Sequence, residues 1–254
     1  MQFVSDLLAL PQLLTWPVAV ALIVFSFFMS AMTAVLGVGG GTGMLAIMAS
    51  VFPPALLIPI HGIVQLGSNA GRAVVMRQHV HRRIFTYFLI GGVAGTAAAA
   101  NVFVILPAQI LQIALAAFII LLVWAPTIKK FSVPDRGFLA VGFVVNFVGM
   151  FLGAAGPLFG ACLSTDKLSK HIVVATQGAC VSTHYLLKAI AFGIIGFNYN
   201  EWLPFIIAMI VAGFIGTLVG GKLLDRLPEK SFAKAFRAVL TVFALKLLWD
   251  GLMG

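Results

Sequence analysis

Two segments of this chain place polar and cationic side chains on one helical face within otherwise apolar sequence. In "IPIHGIVQLGSNAGRAVVMR" they are spaced i, i+4, i+7, i+8 and i+11, and in the second segment i, i+7 and i+11. The first set is His61, Gln65, Ser68, Asn69 and Arg72, and the second is Gln177, His184 and Lys188. Polar side chains inside a membrane span usually face the bundle or a water-filled cavity. Donors and cations without a carboxylate suit an oxyanion.

Each polar segment follows a break that is rich in small residues. The first break is "LGVGGG" at Leu36 and the second is "LGAAGP" at Leu152. Broken helices in a membrane are tolerated where they are buried in protein or line a cavity. A half-helix that starts near the midplane presents free N–H groups and a positive dipole end, which attract anions. The residues expected to hold an anion in this way are Gly39, Gly40, Gly41, Thr42, Gly156, Pro157 and Leu158.

The composition predicts an all-α, polytopic membrane helical bundle. Of 254 residues, 61% are hydrophobic and 9% charged, whereas about a quarter of a soluble domain is charged. Several apolar stretches are long enough to cross the hydrocarbon core, and they are continuous rather than alternating, which favours helices over a barrel. The net charge of +9 falls mostly in short loops. This indicates membrane topology rather than nucleic-acid binding.

The apolar segments and the loop charges predict an orientation. Eight long segments are expected at about 16–36, 55–77, 84–103, 108–126, 136–153, 171–195, 203–222 and 232–250, with short ones at about 42–51 and 157–165. The positive-inside rule places three basic loops, at 77–83, 129–136 and 222–230, in the cytoplasm and two neutral loops, at 101–107 and 197–202, outside. Each half then crosses five times. The chain is predicted to be a multi-pass protein of the cell (inner) membrane, with both termini outside the cytoplasm.

The two halves resemble each other. Leu36 and Leu152 begin similar motifs 116 positions apart, and "GVAGT" at Gly92 matches "GFIGT" at Gly213 with an offset of 121. Five legs per half make the repeats point in opposite directions, as in many secondary transporters. We expect inverted repeats at 1–127 and 128–254, integrated as one transport domain, each with about four long spans and one short broken half-helix. The small residues expected to allow close helix packing instead are Gly92, Gly95, Gly213, Gly216, Gly220 and Gly221.

Other chemistries find less support in the sequence. The seven acidic residues lie at or near segment ends, so no metal site, cofactor or mid-membrane carboxylate is predicted. Cys162 and Cys180 leave a thiol-redox relay open, although a buried cysteine is usually a small apolar filler. No nucleophile–base–acid set is recognisable, so the chain is not predicted to be an enzyme.

The chain resembles the TauE/SafE family of sulfite and organosulfonate exporters, also called TSUP. The likeness covers nearly the whole sequence and rests on "GVGGG", "GAAGP" and the closing "GTLVGGKLLDRLPEKSFAKAFRAVLTVFALKLLW". It implies transport of small sulfur oxyanions, organosulfonates or related carbon compounds, with no prosthetic group. Two departures bear on the substrate: Pro53 comes late after the triple glycine, and "PIHGIVQ" stands where the family often has a small Ala-x-Gly-Thr-Ser type stretch.

The sequence therefore predicts alternating-access transport of a small sulfur-containing anion. Hydrogen bonds would come from the side chains of the two polar faces. Arg72 and Lys188 would attract charge at the two mouths, although Arg72 is close enough to the loop at Arg77 to snorkel instead. A non-sulfur carboxylate remains an alternative substrate. The expected partners are the anion and the lipid bilayer. Monomer or homodimer, direction and coupling ion stay open.

Overall fold

A computed structural model describes residues 11, 14–36, 40–124, 133–153, 156–163, 168–223 and 229–253. Within these ranges the side chains of 34–36, 71–72, 75, 170, 221–223, 229–237 and 239 are not considered. The described chain is helical and contains no strand, which confirms the all-α class. Its α-helices are α1 Trp16–Leu36, α2 Gly40–Ala49, α3 Pro54–Val75, α4 Arg82–Phe103, α5 Ala108–Trp124, α6 Phe138–Leu152, α7 Gly156–Cys162, α8 Lys170–Ile194, α9 Leu203–Leu223 and α10 Glu229–Met253.

The predicted segments correspond to these helices one by one. The eight long segments form α1, α3, α4, α5, α6, α8, α9 and α10, and the two short ones form α2 and α7. Four spans among the described residues are long and apolar enough to cross a membrane: Trp16–Thr33, Arg82–Phe103, Asp135–Leu152 and Tyr199–Gly220. The polar helices α3 and α8, of 22 and 25 residues, lie among them.

The second break is a turn made by glycine. Helix α6 ends at Gly153, whose φ of 76° is in the left-handed region that favours glycine. Helix α7 then starts at Gly156 and has only 7 residues. The first break separates α1 from α2, and its residues 37–39 lie outside the described chain. Both short helices are thus placed where the sequence predicted them.

Close backbone contacts join α4 to α6 and α1 to α9. A Cβ at Gly95 of α4 would overlap the carbonyl oxygen of Phe143, and a Cβ at Gly216 of α9 would overlap that of Phe27. Gly220 meets the carbonyl of Ala31 in the same way. The predicted packing role of these glycines is confirmed, because any side chain there would push the helices apart.

At Gly92 and Gly213, side chains of the neighbouring helix fill the space that a Cβ would occupy in the same two helix pairs. A Cβ at Gly92 would lie 2.8 Å from Nδ2 of Asn146, and one at Gly213 would lie 2.8 Å from Oγ of Ser30. Their predicted packing role is also confirmed, whereas the surroundings of Gly221 are outside the description. Helix α3 packs on α8, and α5 packs on α10. Helix α3 also contacts α9, and α8 also contacts α4. The two polar helices therefore pack against each other between the glycine-packed pairs α1–α9 and α4–α6.

Candidate functional site

His61 connects α3 to the start of α2. Its side chain is fully buried, and Nε2 donates a hydrogen bond to the carbonyl oxygen of Gly41 over 3.0 Å. The backbone of Gly153 also approaches the ring, but Nδ1 has no hydrogen-bond partner in the described part of the chain. His61 thus lies beside both breaks, one of which is in each half of the sequence.

Gln65 lies one turn along α3 and faces the same glycine. A Cβ at Gly41 would overlap the amide nitrogen of Gln65. The missing side chain is what allows this amide to approach the backbone of α2. Thr42, which follows Gly41 in the chain, is also buried. The prediction that Gly41, Thr42, His61 and Gln65 share one place is supported by this geometry, while their binding of a substrate stays a prediction.

In the second half, α6 and α8 form a buried polar chain. Nδ2 of Asn146 donates to the carbonyl oxygen of Gly142 over 2.8 Å, and Oδ1 of Asn146 lies 3.0 Å from Nδ1 of His184. The side chains of Asn146 and His184 are fully buried. A Cβ at Gly149 would lie 2.5 Å from the His184 ring, so this glycine makes room for the imidazole.

Lys188 lies at the centre of these contacts. Its side chain is 0% exposed, and Nζ donates to the carbonyl oxygen of Gly149 over 2.9 Å. The stem passes over Gly62 of α3, where a Cβ would lie 3.5 Å from Cδ of Lys188. The ammonium group acts electrostatically on both His61 and His184. Lys188, which the sequence predicts at a mouth, is fully buried where α3, α6 and α8 meet.

The remaining predicted residues are distributed around this centre. Gln177 lies beside α7, where a Cβ at Gly160 would be 3.2 Å from its amide nitrogen. Ser68 is exposed, and Asn69 donates to the carbonyl oxygen of Gln65 in its own helix. At the start of α7, Leu158 is half-buried and Pro157 exposed, and a Cβ at Gly156 would contact nothing within 4 Å. Gly39 and the side chain of Arg72 lie outside the described residues, and Gly40 packs against Thr33 and Met29.

Sequence reasoning missed Asn146 and Gly149. Both lie on the apolar helix "FLAVGFVVNFVGMFL", in which Asn146 is the single polar side chain. A lone asparagine in such a span was the available signal, because an amide in a membrane needs a partner in the bundle. The partners themselves come from the packing of α6 on α8, which periodicity does not reveal.

The cysteines lie in apolar surroundings. Both are free thiols. Cys180 is buried in a hydrophobic cluster with Phe88, Phe138 and Phe159, and Cys162 packs against that cluster while donating to the carbonyl of Leu158. This arrangement favours the filler interpretation over the thiol relay.

Comparison with known proteins shows the family. The model of the family described as "Sulfite exporter TauE/SafE" matches residues 22–247. Searches of curated proteins and of solved structures give no match. The family match covers nearly the whole described bundle, from α1 to α10, and includes both breaks and both polar helices. The chain therefore belongs to the TauE/SafE sulfite exporter family of membrane transport proteins.

Proposed function

We propose that this protein moves a small sulfur-containing anion, namely sulfite, thiosulfate or an organosulfonate, across the membrane by alternating access. The anion would bind where α3 and α8 meet, between the start of α2 and the end of α6. The contact between these two polar helices brings together side chains from both halves. Family membership supports membrane transport as such, and the site supports the choice of an anion.

The fully buried Lys188 is the observation that carries this proposal. Desolvating an ammonium group is costly unless a partner compensates the charge. Three carboxylates have described side chains, on Asp135, Glu201 and Asp250. Asp250 pairs with Lys246, and the other two lie in short turns before α6 and α9. Among the described groups, Lys188 has a carbonyl oxygen as its partner and no carboxylate. A transported anion would supply the missing negative charge.

Neutral donors around Lys188 would complete the site. The amides of Gln65 and Gln177 lie beside the short helices α2 and α7, one in each half. Gly40, Gly41 and Thr42 would contribute backbone groups near the start of α2. Arg72 would bind the anion at its entry or exit, because the polar face of α3 continues through Ser68 and Asn69 towards Arg72. The start of α7 would have the same role in the second half.

Repeated packing supports two inverted halves, 1–127 and 128–254. Gly95 and Gly216 are 121 positions apart, and the carbonyls that they contact belong to Phe143 and Phe27, which are 116 positions apart. Both offsets equal those found between the sequence motifs. Each contact joins one helix of the first half to one helix of the second half, so the halves would work as one transport domain. The termini would lie outside the cytoplasm, on the same side as the loops near residues 105 and 200. Labelling of cysteines introduced into these two loops from the outer side tests this orientation.

The proposal is tested by flux into proteoliposomes of purified protein. The panel is sulfite, thiosulfate, isethionate, sulfate and acetate. We expect saturable uptake of at least one sulfur anion by the wild type, a loss of tenfold or more in Lys188→Met, and wild-type uptake in Lys246→Met, whose lysine is on the surface. Uptake of acetate alone would discard the sulfur assignment. The proposed site fails if Gln177→Ala and His61→Ala both leave the substrate affinity unchanged.

A further inference from the structure

Each buried histidine of the site has one ring nitrogen bonded and the other without a partner. His61 bonds through Nε2 and His184 through Nδ1. The opposite atoms, Nδ1 of His61 and Nε2 of His184, are buried and have no hydrogen-bond partner in the described bundle. A buried polar atom without a partner costs stability, so two of them beside a buried lysine point to a ligand.

The bonded nitrogen determines which atom of His61 carries the proton. The partner of Nε2 is the carbonyl oxygen of Gly41, which only accepts hydrogen bonds. Nε2 must therefore carry the hydrogen. In the neutral ring, Nδ1 is then left with a lone pair and acts as an acceptor.

Asn146 determines in the same way which nitrogen of His184 carries the proton. The amide nitrogen of Asn146 donates to the carbonyl oxygen of Gly142, so its oxygen is the atom that faces His184. Nδ1 of His184 must carry the hydrogen in order to donate to this oxygen. Its Nε2 is therefore also a lone-pair acceptor when the ring is neutral. Both unpartnered ring nitrogens are acceptors beside a site proposed for an anion.

A lone pair and an oxyanion oxygen repel each other, and a proton between them turns this repulsion into a charge-assisted hydrogen bond. We propose that the site takes a divalent sulfur oxyanion together with one proton, held between an oxygen of the anion and the free ring nitrogen of His61 or His184. This inference rests on the proposed function. The proton comes from water on the entry side, forms one N–H or O–H bond in the site, and returns to water on the exit side.

Charge balance explains why the anion would be divalent and the proton single. Lys188 contributes one positive charge in a fully buried position. A divalent anion with one proton and Lys188 leaves no net charge inside the bundle, whereas the same anion without the proton leaves a buried negative charge. A second proton would leave net positive charge instead.

Few other groups near the two rings could supply the proton. From α8, Lys188 and Tyr185 face them, with the Tyr185 ring centroid 6.4 Å from that of His61 and 5.1 Å from that of His184. Helix α2 contributes the carbonyl of Gly41, α6 contributes Asn146 and Gly149, and the backbone of Gly153 follows α6 beside His61. Helix α5 and the described side chains of α9 include no titratable group, α7 has Cys162, and α4 has Arg82, Arg83 and Tyr87 in its first two turns.

The test is accumulation of anion driven by a pH gradient alone. Wild-type proteoliposomes hold equal thiosulfate inside and outside, with the potential clamped at zero by potassium and valinomycin and the outside one pH unit more acidic. Thiosulfate is not protonated in water near neutral pH, so a proton that moves with it has been held by the protein. We expect about tenfold accumulation inside, since one pH unit is worth a factor of ten for one proton. Sulfite is run in parallel, with protein-free liposomes as the baseline.

Two conservative variants remove the basic ring nitrogens that would hold the proton and keep the bonded atoms. In His61→Gln the amide nitrogen replaces Nε2 towards Gly41, and in His184→Asn it replaces Nδ1 towards Asn146. The double variant is expected to move anion downhill more slowly and to lose gradient-driven accumulation. The matched control His171→Asn changes an exposed histidine and should accumulate anion as the wild type does.

The outcomes separate the inference from the proposed function. Saturable downhill flux by the wild type without accumulation under the pH gradient would overturn the inference that a proton moves with the anion, and would leave anion transport standing. Wild-type accumulation by the double variant would overturn the assignment to the two histidines. The absence of saturable flux of any sulfur anion would overturn the proposed function and the inference with it.

Discussion

The ammonium group of Lys188 donates a hydrogen bond to the carbonyl oxygen of Gly149, 2.9 Å away in the last turn of α6. That oxygen also accepts from the backbone N–H of Gly153. Cations near a helix C-terminus are stabilised by the dipole and by the free carbonyls. The end of α6 therefore favours the charged form of the buried Lys188, next to two histidines. The Gly149 carbonyl compensates the charge of an ammonium group at Lys188 only in part. An anion that binds beside Nζ would compensate the rest.

Replacing Lys188 by methionine should abolish anion binding and preserve the fold. Removing a buried charge in favour of an apolar side chain of similar size is often neutral or stabilising, by about 1–4 kcal/mol. We expect a thermal unfolding midpoint in detergent equal to or above that of the wild type. A saturating substrate anion should raise the midpoint of the wild type and leave that of Lys188→Met unchanged. A lower midpoint together with a normal anion response would assign Lys188 a structural role only.

The pair formed by Asn146 and His184 should behave as one coupled unit. Asn146→Leu leaves Nδ1 of His184 buried without a partner, which costs about 1–3 kcal/mol. In the double variant Asn146→Leu, His184→Phe neither partner is polar, so we expect recovery of part of that loss. Denaturation of the single and double variants measures the coupling. Asn101→Leu is the control, since Asn101 is exposed and bonds to its own helix. Additive losses would show that the two side chains are independent.

Gly95→Ala and Gly216→Ala should destabilise the protein by similar amounts. Each new Cβ would overlap a backbone carbonyl of the neighbouring helix, and overpacking of this kind costs about 1–3 kcal/mol. Thermal unfolding in detergent measures the loss. Gly193→Ala on α8 is the matched control, because its Cβ would meet only Tyr199 at 3.9 Å. Equal stability of Gly95→Ala and this control would contradict the close contact between α4 and α6.

Gly41→Ala should weaken substrate binding more than it weakens the fold. The added methyl group would overlap the amide of Gln65, but this amide ends a flexible side chain that can move away. We expect KM to rise several-fold at nearly unchanged unfolding midpoint, because the displaced amide no longer faces the start of α2. Transport kinetics of the variant provide the measurement. An unchanged KM would remove Gln65 from the site.

The double variant Cys162→Ala, Cys180→Ala should transport anion at the wild-type rate. Both cysteines lie in the apolar cluster around Phe159, where they act as small fillers. The measurement is the flux of the variant and of the wild type, the latter with and without a thiol-blocking reagent. Loss of flux in the alanine variant, with the fold intact, would revive the thiol relay.

The sequence predicted the helices and the breaks well because both depend on local composition. Long and mostly apolar runs between basic and glycine- or proline-containing loops define the eight long helices, and the small-residue motifs near Leu36 and Leu152 define the short helices α2 and α7. The face of α3 with His61 and Gln65 follows from helical spacing. The depth of Lys188 and its bond to Gly149 do not, because they depend on which helix packs beside α8. Asn146 is visible in the sequence as a lone amide, but its partner His184 is not, for the same reason.

Flux of a sulfur oxyanion by purified protein decides whether the site around Lys188 transports such an anion. Wild-type and Lys188→Met proteoliposomes are compared for sulfite and thiosulfate uptake in the same preparation, with Lys246→Met as control. We expect saturable uptake by the wild type and the control, and uptake at least tenfold lower by Lys188→Met. Equal uptake by all three proteins would contradict a site built around Lys188, and no uptake by the wild type would contradict sulfur-anion transport itself.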